Sequence, residues 1–331
     1  MTNFILGAGF NADTTVEAGP LFTPSLCGTY QIDCSYPLVG DAIRLCFGLQ
    51  ELPYGKSVED LFSEALKRGE YDPIDKLADR LRYADLRIAT ALARDEKLNC
   101  YRSFFETFTD SNFLTFNYDS LPETFLFKLG RWYPYDGYGV CVVADLPPGA
   151  ARFKDKRSPA LVLHLHGSLC IRTSEYEMRR QPEDATPLLV ERALPKFEFD
   201  PYSVPNFAPF DREVGDDDVK SRIIAPVPNK AQGLKGAFIR NTYTKAIEIV
   251  RASDVTIAIG YSFNKHDRGS YQPLLHAMCE SQTRRLLVVA PDAGQVVKAL
   301  RRQFPDLQIK RVDATFKQWA ESSFPGADSG N

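Results

Sequence analysis

Four short apolar runs in this chain each stop on a cluster of small or polar residues. Phe4, Ile5 and Leu6 run into Gly7, Ala8 and Gly9; residues 113–116 run into Asn117, Tyr118 and Asp119; residues 161–165 run into His166, Gly167 and Ser168; residues 255–259 run into Gly260, Tyr261 and Ser262. Unbroken apolar runs of this length read as strands covered on both faces. In an open parallel sheet, functional groups collect outside the carboxyl ends of the strands, so the four clusters are expected to converge.

Between the first two runs the periodicity turns helical. Ser57 and Asp60 have capping-box spacing ahead of Val58, Leu61, Phe62, Ala65 and Leu66, which share one helical face. Asp72 and Pro73 mark a second helix start, and further helix is expected over residues 86–98 and 101–108. Residues 57–110 thus read as a helical insertion, preceded by a proline-broken stretch with at most one short helix over 41–47. Leu121 to Leu129 read as helix, residues 132–143 as a small hairpin, and residues 161–165 as the third strand. Eight prolines between Pro182 and Pro228, with the acidic run Asp216, Asp217 and Asp218, make 179–228 an extended loop or lid.

Regularity returns with a helix through Phe238, Ala246, Ile247 and Val250. A strand over 255–259, a helix over 271–279, a strand over 286–289, and helices over 293–304 and 315–324 follow. Strands alternating with helices indicate an α/β fold, a Rossmann-like doubly wound parallel sheet, here with an inserted helical module, and residues 1–331 read as a single domain.

Composition narrows the function classes. A 331-residue chain with 44% hydrophobic and 25% charged residues and a formal net charge of -3 carries no basic excess, so direct nucleic-acid binding is not expected. No apolar run approaches the roughly 20 residues needed to cross a bilayer, and the first is too short for a secretory signal, so no membrane association and a cytoplasmic location are expected. The seven cysteines are scattered without a Cys-x-x-Cys pair and read as reduced, mostly buried residues.

Candidate chemistry lies at the four run ends. Gly7, Ala8, Gly9, Phe10, Asn11 and Ala12 fit G-x-G-x-x-A at a strand exit, where glycines let backbone approach a pyrophosphate and a helix N-terminus offers donors; a ligand-free turn is the alternative. The acidic residue about 20 positions further on that an ordinary dinucleotide fold would carry is missing, which argues against a standard dehydrogenase. Thr115, Asn117 and Asp119 leave their strand together, facing a crevice or capping the helix from Leu121. His164 and His166 are two apart and so share a face; a metal pair would need further ligands that do not follow, so no metal is expected. His166, expected to be partly exposed ahead of Gly167, suits a general base. Gly260 and Ser262 could grip a ribose or phosphate, and Asp292 could accept from adenosine hydroxyls or cap the helix from Ala293.

Taken in order, Gly7-Ala-Gly9-Phe-Asn11, Thr115-Phe-Asn117-Tyr-Asp119, His166-Gly-Ser168 and Gly260-Tyr-Ser262 resemble the sirtuin-like NAD-binding family, in its bacterial zinc-less branch. The resemblance implies NAD as substrate, no metal, and cleavage of the bond between nicotinamide and ribose. It implies Asn117 and His166 as the catalytic pair. It implies Gly7, Ala8, Gly9, Asp119, Gly260 and Ser262 as NAD-binding positions, with Asn11 where sirtuins usually carry serine; Phe10, Thr115 and Asp292 are further candidate binding positions at the same strand exits. The deacetylases' two Cys-x-x-Cys pairs after the His-Gly motif are absent, which makes water the expected acceptor and protein deacylation or ADP-ribosyl transfer the alternative. A non-catalytic NAD or ADP-ribose sensor is a further alternative. By resemblance the chain would be an NAD hydrolase of antiphage defence, a homo-oligomer working with an activating or effector protein partner.

Overall fold

The computed structural model describes residues 1–12, 44, 46–77, 99–133, 136–139, 143–145, 155–174, 188–190, 219–223 and 237–327. Strand β1 (Thr2–Leu6) leads through Gly7 into a 3-10 turn at Ala8–Phe10. Helix α1 (Val58–Lys67) starts at Ser57, whose hydroxyl accepts from the Asp60 N–H while the Asp60 carboxylate accepts from the Ser57 N–H, the capping box read from the spacing. Helix α2 (Asn99–Thr107), strand β2 (Asn112–Thr115) and helix α3 (Leu121–Lys128) follow. Residues 72–77 are helical, as are residues 44, 46 and 47 within the short helix expected over 41–47, whose other residues, like the whole helix expected over 86–98, lie outside the described residues.

Strands β3 (Val143–Asp145), β4 (Val162–His164), β5 (Gly167–Ser174), β6 (Leu188–Val190) and β7 (Val219–Ile223) come next. Then the chain alternates helix α4 (Ala237–Arg251), strand β8 (Val255–Ile259), helix α5 (Arg268–Glu280), strand β9 (Arg285–Ala290), helix α6 (Ala293–Gln303), strand β10 (Gln308–Asp313) and helix α7 (Phe316–Glu321).

Six strands form one wholly parallel sheet in the order β10-β9-β8-β1-β2-β4. Renumbered by appearance within that sheet this is 3-2-1-4-5-6, the doubly wound order, and its topological switch point falls between β1 and β8. Both faces are covered. Phe4, Leu6, Phe113, Val162, Ile257 and Val289 pack with α2, α3 and α7 residues such as Phe104, Phe125 and Trp319, whereas Ile5, Leu114, Leu163, Ala258 and Val288 pack with Val250, Leu274 and Val297 from α4, α5 and α6. This double burial is why the strands are unbroken apolar runs rather than alternating ones.

The second, four-stranded sheet has the order β3-β6-β5-β7, with β5 antiparallel to both of its neighbours. It departs from two expectations. In place of the hairpin over 132–143, Val143 pairs in parallel with Leu188, more than forty positions along the chain, and the loop or lid over 179–228 contains two of the sheet's strands. Strand β10, whose exposure alternates poorly because it is an edge strand of charged residues, carries no strong apolar signal and was not expected.

Candidate functional site

Register aligns the four exits. Ile259 pairs with Leu6, Leu6 with Thr115, and Thr115 with His164, so the last residues of β8, β1, β2 and β4 stand on one level across the sheet. The ladder runs one residue further: Gly260 donates to Val289, Gly7 to Ile259, Phe116 to Leu6 and Leu165 to Thr115. Two residues past the common level come Tyr261, Ala8, Asn117 and His166, and the chain turns away. The convergence expected from the sequence is thus produced by parallel register.

At the switch point the glycines interlock. Gly260 has φ +60, and a Cβ on it would stand 2.3 Å from the Gly9 carbonyl carbon and the Phe10 nitrogen; one on Gly7 would stand 2.6 Å from the Gly260 oxygen. Gly7 and Gly9 spend their N–H groups on the Ile259 and Gly260 carbonyls, and Phe10, Asn11 and Ala12 spend theirs inside the turn, so the loop's amides serve mainly to join β1 to β8. Ala8, exposed between them, is the residue of the turn that faces outward.

Three strands hold Asn117. Its N–H donates to Thr115 Oγ1 at 3.0 Å, its side-chain Nδ2 donates to the Gly7 carbonyl at 3.0 Å, and its carbonyl accepts from His164 Nδ1 at 3.2 Å. Asn117 stays half-buried, while Thr115 is fully enclosed and acts through this one bond.

His166 lies two residues past the end of β4. It is only 3% exposed, with Nε2 3.1 Å from Ser270 Oγ on α5 and its ring edge-on to Phe116 at 4.8 Å, so the partly exposed histidine expected from the strand exit is instead enclosed. Phe116 stacks flat on Tyr261 at 4.2 Å, joining the β2 and β8 exits by an aromatic contact. His164 and His166 do not share a face. The strand ends at His164, which meets Glu123 on α3, and the turn into Gly167, at φ +83, carries His166 to the α5 side. The pairing that a metal would need is absent.

Several other expected binding positions are structural. Phe10 is fully buried and packs on Tyr101, Phe104 and Phe316; an aromatic ring this enclosed contributes to the core, not to a ligand surface. Asp119, 2% exposed, accepts from the Leu121 N–H at 3.0 Å and from Asn11 Nδ2 at 2.7 Å, which realises the helix-capping alternative. Burial raises its carboxyl to about 6, against the opposing pull of those two bonds. Ser262 and Asp292 are exposed at the β8 and β9 exits. Asp292 makes no side-chain cap, and the Gly294 N–H at the start of α6 goes instead to Asp313 Oδ1.

Glu123 and Ser270, the partners of the two histidines, carry no distinguishing signal in the sequence. Glu123 sits in the first turn of α3, where any acid is favoured by the helix dipole, and Ser270 belongs to no motif. Their pairings span 41 and 104 positions, beyond the reach of local pattern. Asp267, at the turn into α5, also raises the pKa of Tyr118, secondary in each case to burial, as it does for Tyr243 and Tyr261.

No family model and no curated protein matches the sequence. Among solved structures the chain is similar to a Sir2 homologue carrying three substitutions in complex with 2'-O-acetyl ADP-ribose, at 14% identity and a TM-score of 0.44, with 98% of this chain and 91% of that chain covered. It is also similar to a singly substituted Sir2 homologue bound to ADP-ribose, at 12% identity and a TM-score of 0.43 over the same shares. Strand order and register, not these overlaps, define the α/β architecture.

Proposed function

We propose that this chain hydrolyses NAD at the nicotinamide–ribose bond, releasing nicotinamide and ADP-ribose. The observation that supports the reading best is the alignment of Asn117 and His166 on one level with the interlocked glycines of the switch point, where a dinucleotide would lie across a doubly wound sheet. The exposed Ala8, with Gly7, Gly9, Gly260 and Ser262 around it, would face the pyrophosphate and ribose.

In the reaction the glycosidic electron pair passes to the pyridinium ring, so nicotinamide leaves neutral and positive charge develops on the ribose. Water supplies the new bond at that carbon and gives up a proton. Asn117, with Nδ2 committed to Gly7, retains a carboxamide oxygen to orient the water or a ribose hydroxyl. His166, oriented through Nε2 by Ser270, would take the proton. No metal enters these steps. Motif order supports the extension to antiphage defence, in a homo-oligomer switched by a protein partner, and the lack of Cys-x-x-Cys pairs after His166-Gly supports water rather than an acylated protein as acceptor.

Purified protein incubated with NAD, with products separated and identified, tests the reading. Nicotinamide and ADP-ribose are expected from the wild type and from neither Asn117→Ala nor His166→Ala; full turnover by both variants would refute it. One observation favours a second reading, a sensor that binds NAD or ADP-ribose without turnover: His166 is enclosed. Calorimetric NAD binding with no nicotinamide release would favour that sensor.

A further inference from the structure

His164 meets α3 at Glu123 and the β2 exit at Asn117, so both of its ring nitrogens are engaged. Nε2 lies 2.6 Å from Glu123 Oε1 and Nδ1 lies 3.2 Å from the Asn117 carbonyl oxygen. A carbonyl oxygen only accepts, so Nδ1 carries a proton, and a second proton lies between Nε2 and the carboxylate. Both side chains are 0% exposed, with the Asp119 carboxylate and the Tyr138 ring as the other groups facing the imidazole. An ion pair sealed in this way costs desolvation that apolar side chains would not, so stability alone does not account for it.

We propose that the Glu123–His164 pair is a positioning device for Asn117, clamping its carbonyl so that the carboxamide stays set against Gly7 and the substrate. The inference rests on the hydrolase reading. Of the three bonds that fix Asn117, one is made by Thr115 within its own strand and one reaches β1; only the His164 bond reaches β4, the strand that delivers His166. The pair therefore sets the two members of the proposed catalytic pair against each other, where small displacements are costly to rate.

Two substitutions separate positioning from packing, because an asparagine amide falls near the place of histidine Nδ1 and a glutamine amide near that of Nε2. His164→Asn keeps a donor for Asn117, whereas His164→Gln keeps the bond to Glu123 and loses the clamp. The expected result is that His164→Asn retains kcat within about threefold of wild type while His164→Gln loses roughly tenfold or more in kcat with KM little changed. Thermal midpoints are expected in the opposite order, since glutamine satisfies the buried carboxylate. Activities that simply follow the midpoints would overturn the inference. Hydrogen exchange of the Asn117 backbone and side-chain amides, read by NMR without substrate, provides an arm independent of turnover. It should quicken in His164→Gln and not in His164→Asn. A wild type that releases no nicotinamide sinks the hydrolase reading, and unchanged Asn117 protection in His164→Gln sinks the clamp.

Discussion

The Asn117 side chain donates to the Gly7 carbonyl across 3.0 Å, so the exits of β2 and β1 are tied by an amide as well as by the sheet ladder. Gly7 in turn donates to Ile259 and Gly9 to Gly260, which extends the tie to β8. A side chain proposed to act on substrate is thereby part of the strap across the switch point.

Asn117→Asp keeps the shape but replaces the donor with an oxygen facing the Gly7 carbonyl. A loss of about 1–3 kcal/mol is expected by urea denaturation at pH 7, together with a fall of about a hundredfold in NAD cleavage. Wild-type stability would show that the bond does not hold the exits together.

Gly260→Ala places a methyl group against the Gly9 and Phe10 backbone at φ +60, where no flexible side-chain end can yield. The expected cost is about 3 kcal/mol or more. Gly48→Ala, at φ +66 with nothing within 4 Å, isolates the backbone contribution and is expected to cost about 1–2 kcal/mol. Equal midpoints for the two variants would contradict the interlock.

Asp119 supplies a pH dependence. Its carboxyl is raised from 3.8 to about 6 in the folded protein, chiefly by burial, so folding favours the protonated form. Its contribution is undiminished below pH 3.8 and declines as pH rises to about 6, by roughly 3 kcal/mol in total. Relative to wild type, Asp119→Asn should therefore gain stability across that window, and parallel stability curves from pH 4 to pH 7 would contradict this. His164, also raised, loses its contribution only at higher pH: burial opposes its charge, but the Glu123 and Asp119 carboxylates and the Asn117 carbonyl outweigh that.

Ser270→Ala removes the 3.1 Å bond to His166 Nε2. A loss of about 1 kcal/mol in stability is expected, and kcat for NAD cleavage should fall about tenfold with KM unchanged, because the serine orients the histidine without meeting substrate. An effect on KM alone would place Ser270 in binding instead.

The doubly wound order was legible because burial on both faces writes strands such as Phe4 to Leu6 and Val255 to Ile259 as apolar runs, and because each run ends on residues that cannot continue it. The Ser57–Asp60 cap was legible for a related reason: its partners are three residues apart. What local pattern could not carry was the set of contacts made across the fold. Phe10 looked like a loop residue beside glycines, and its place among Tyr101, Phe104 and Phe316 depends on helices remote in sequence. The alternation rule put His164 and His166 on one side, but it holds only within a strand, and β4 stops at the first of them. The second sheet was illegible because its strands pair across long separations, as Val143 does with Leu188.

Between the end of β4 and the start of β5 lie only Leu165 and His166. The large sheet finishes on one side of this joint and the small mixed sheet begins on the other. The imidazole rides on the axle between them, and any swing of the small sheet must be absorbed by that short link or transmitted to the ring it carries.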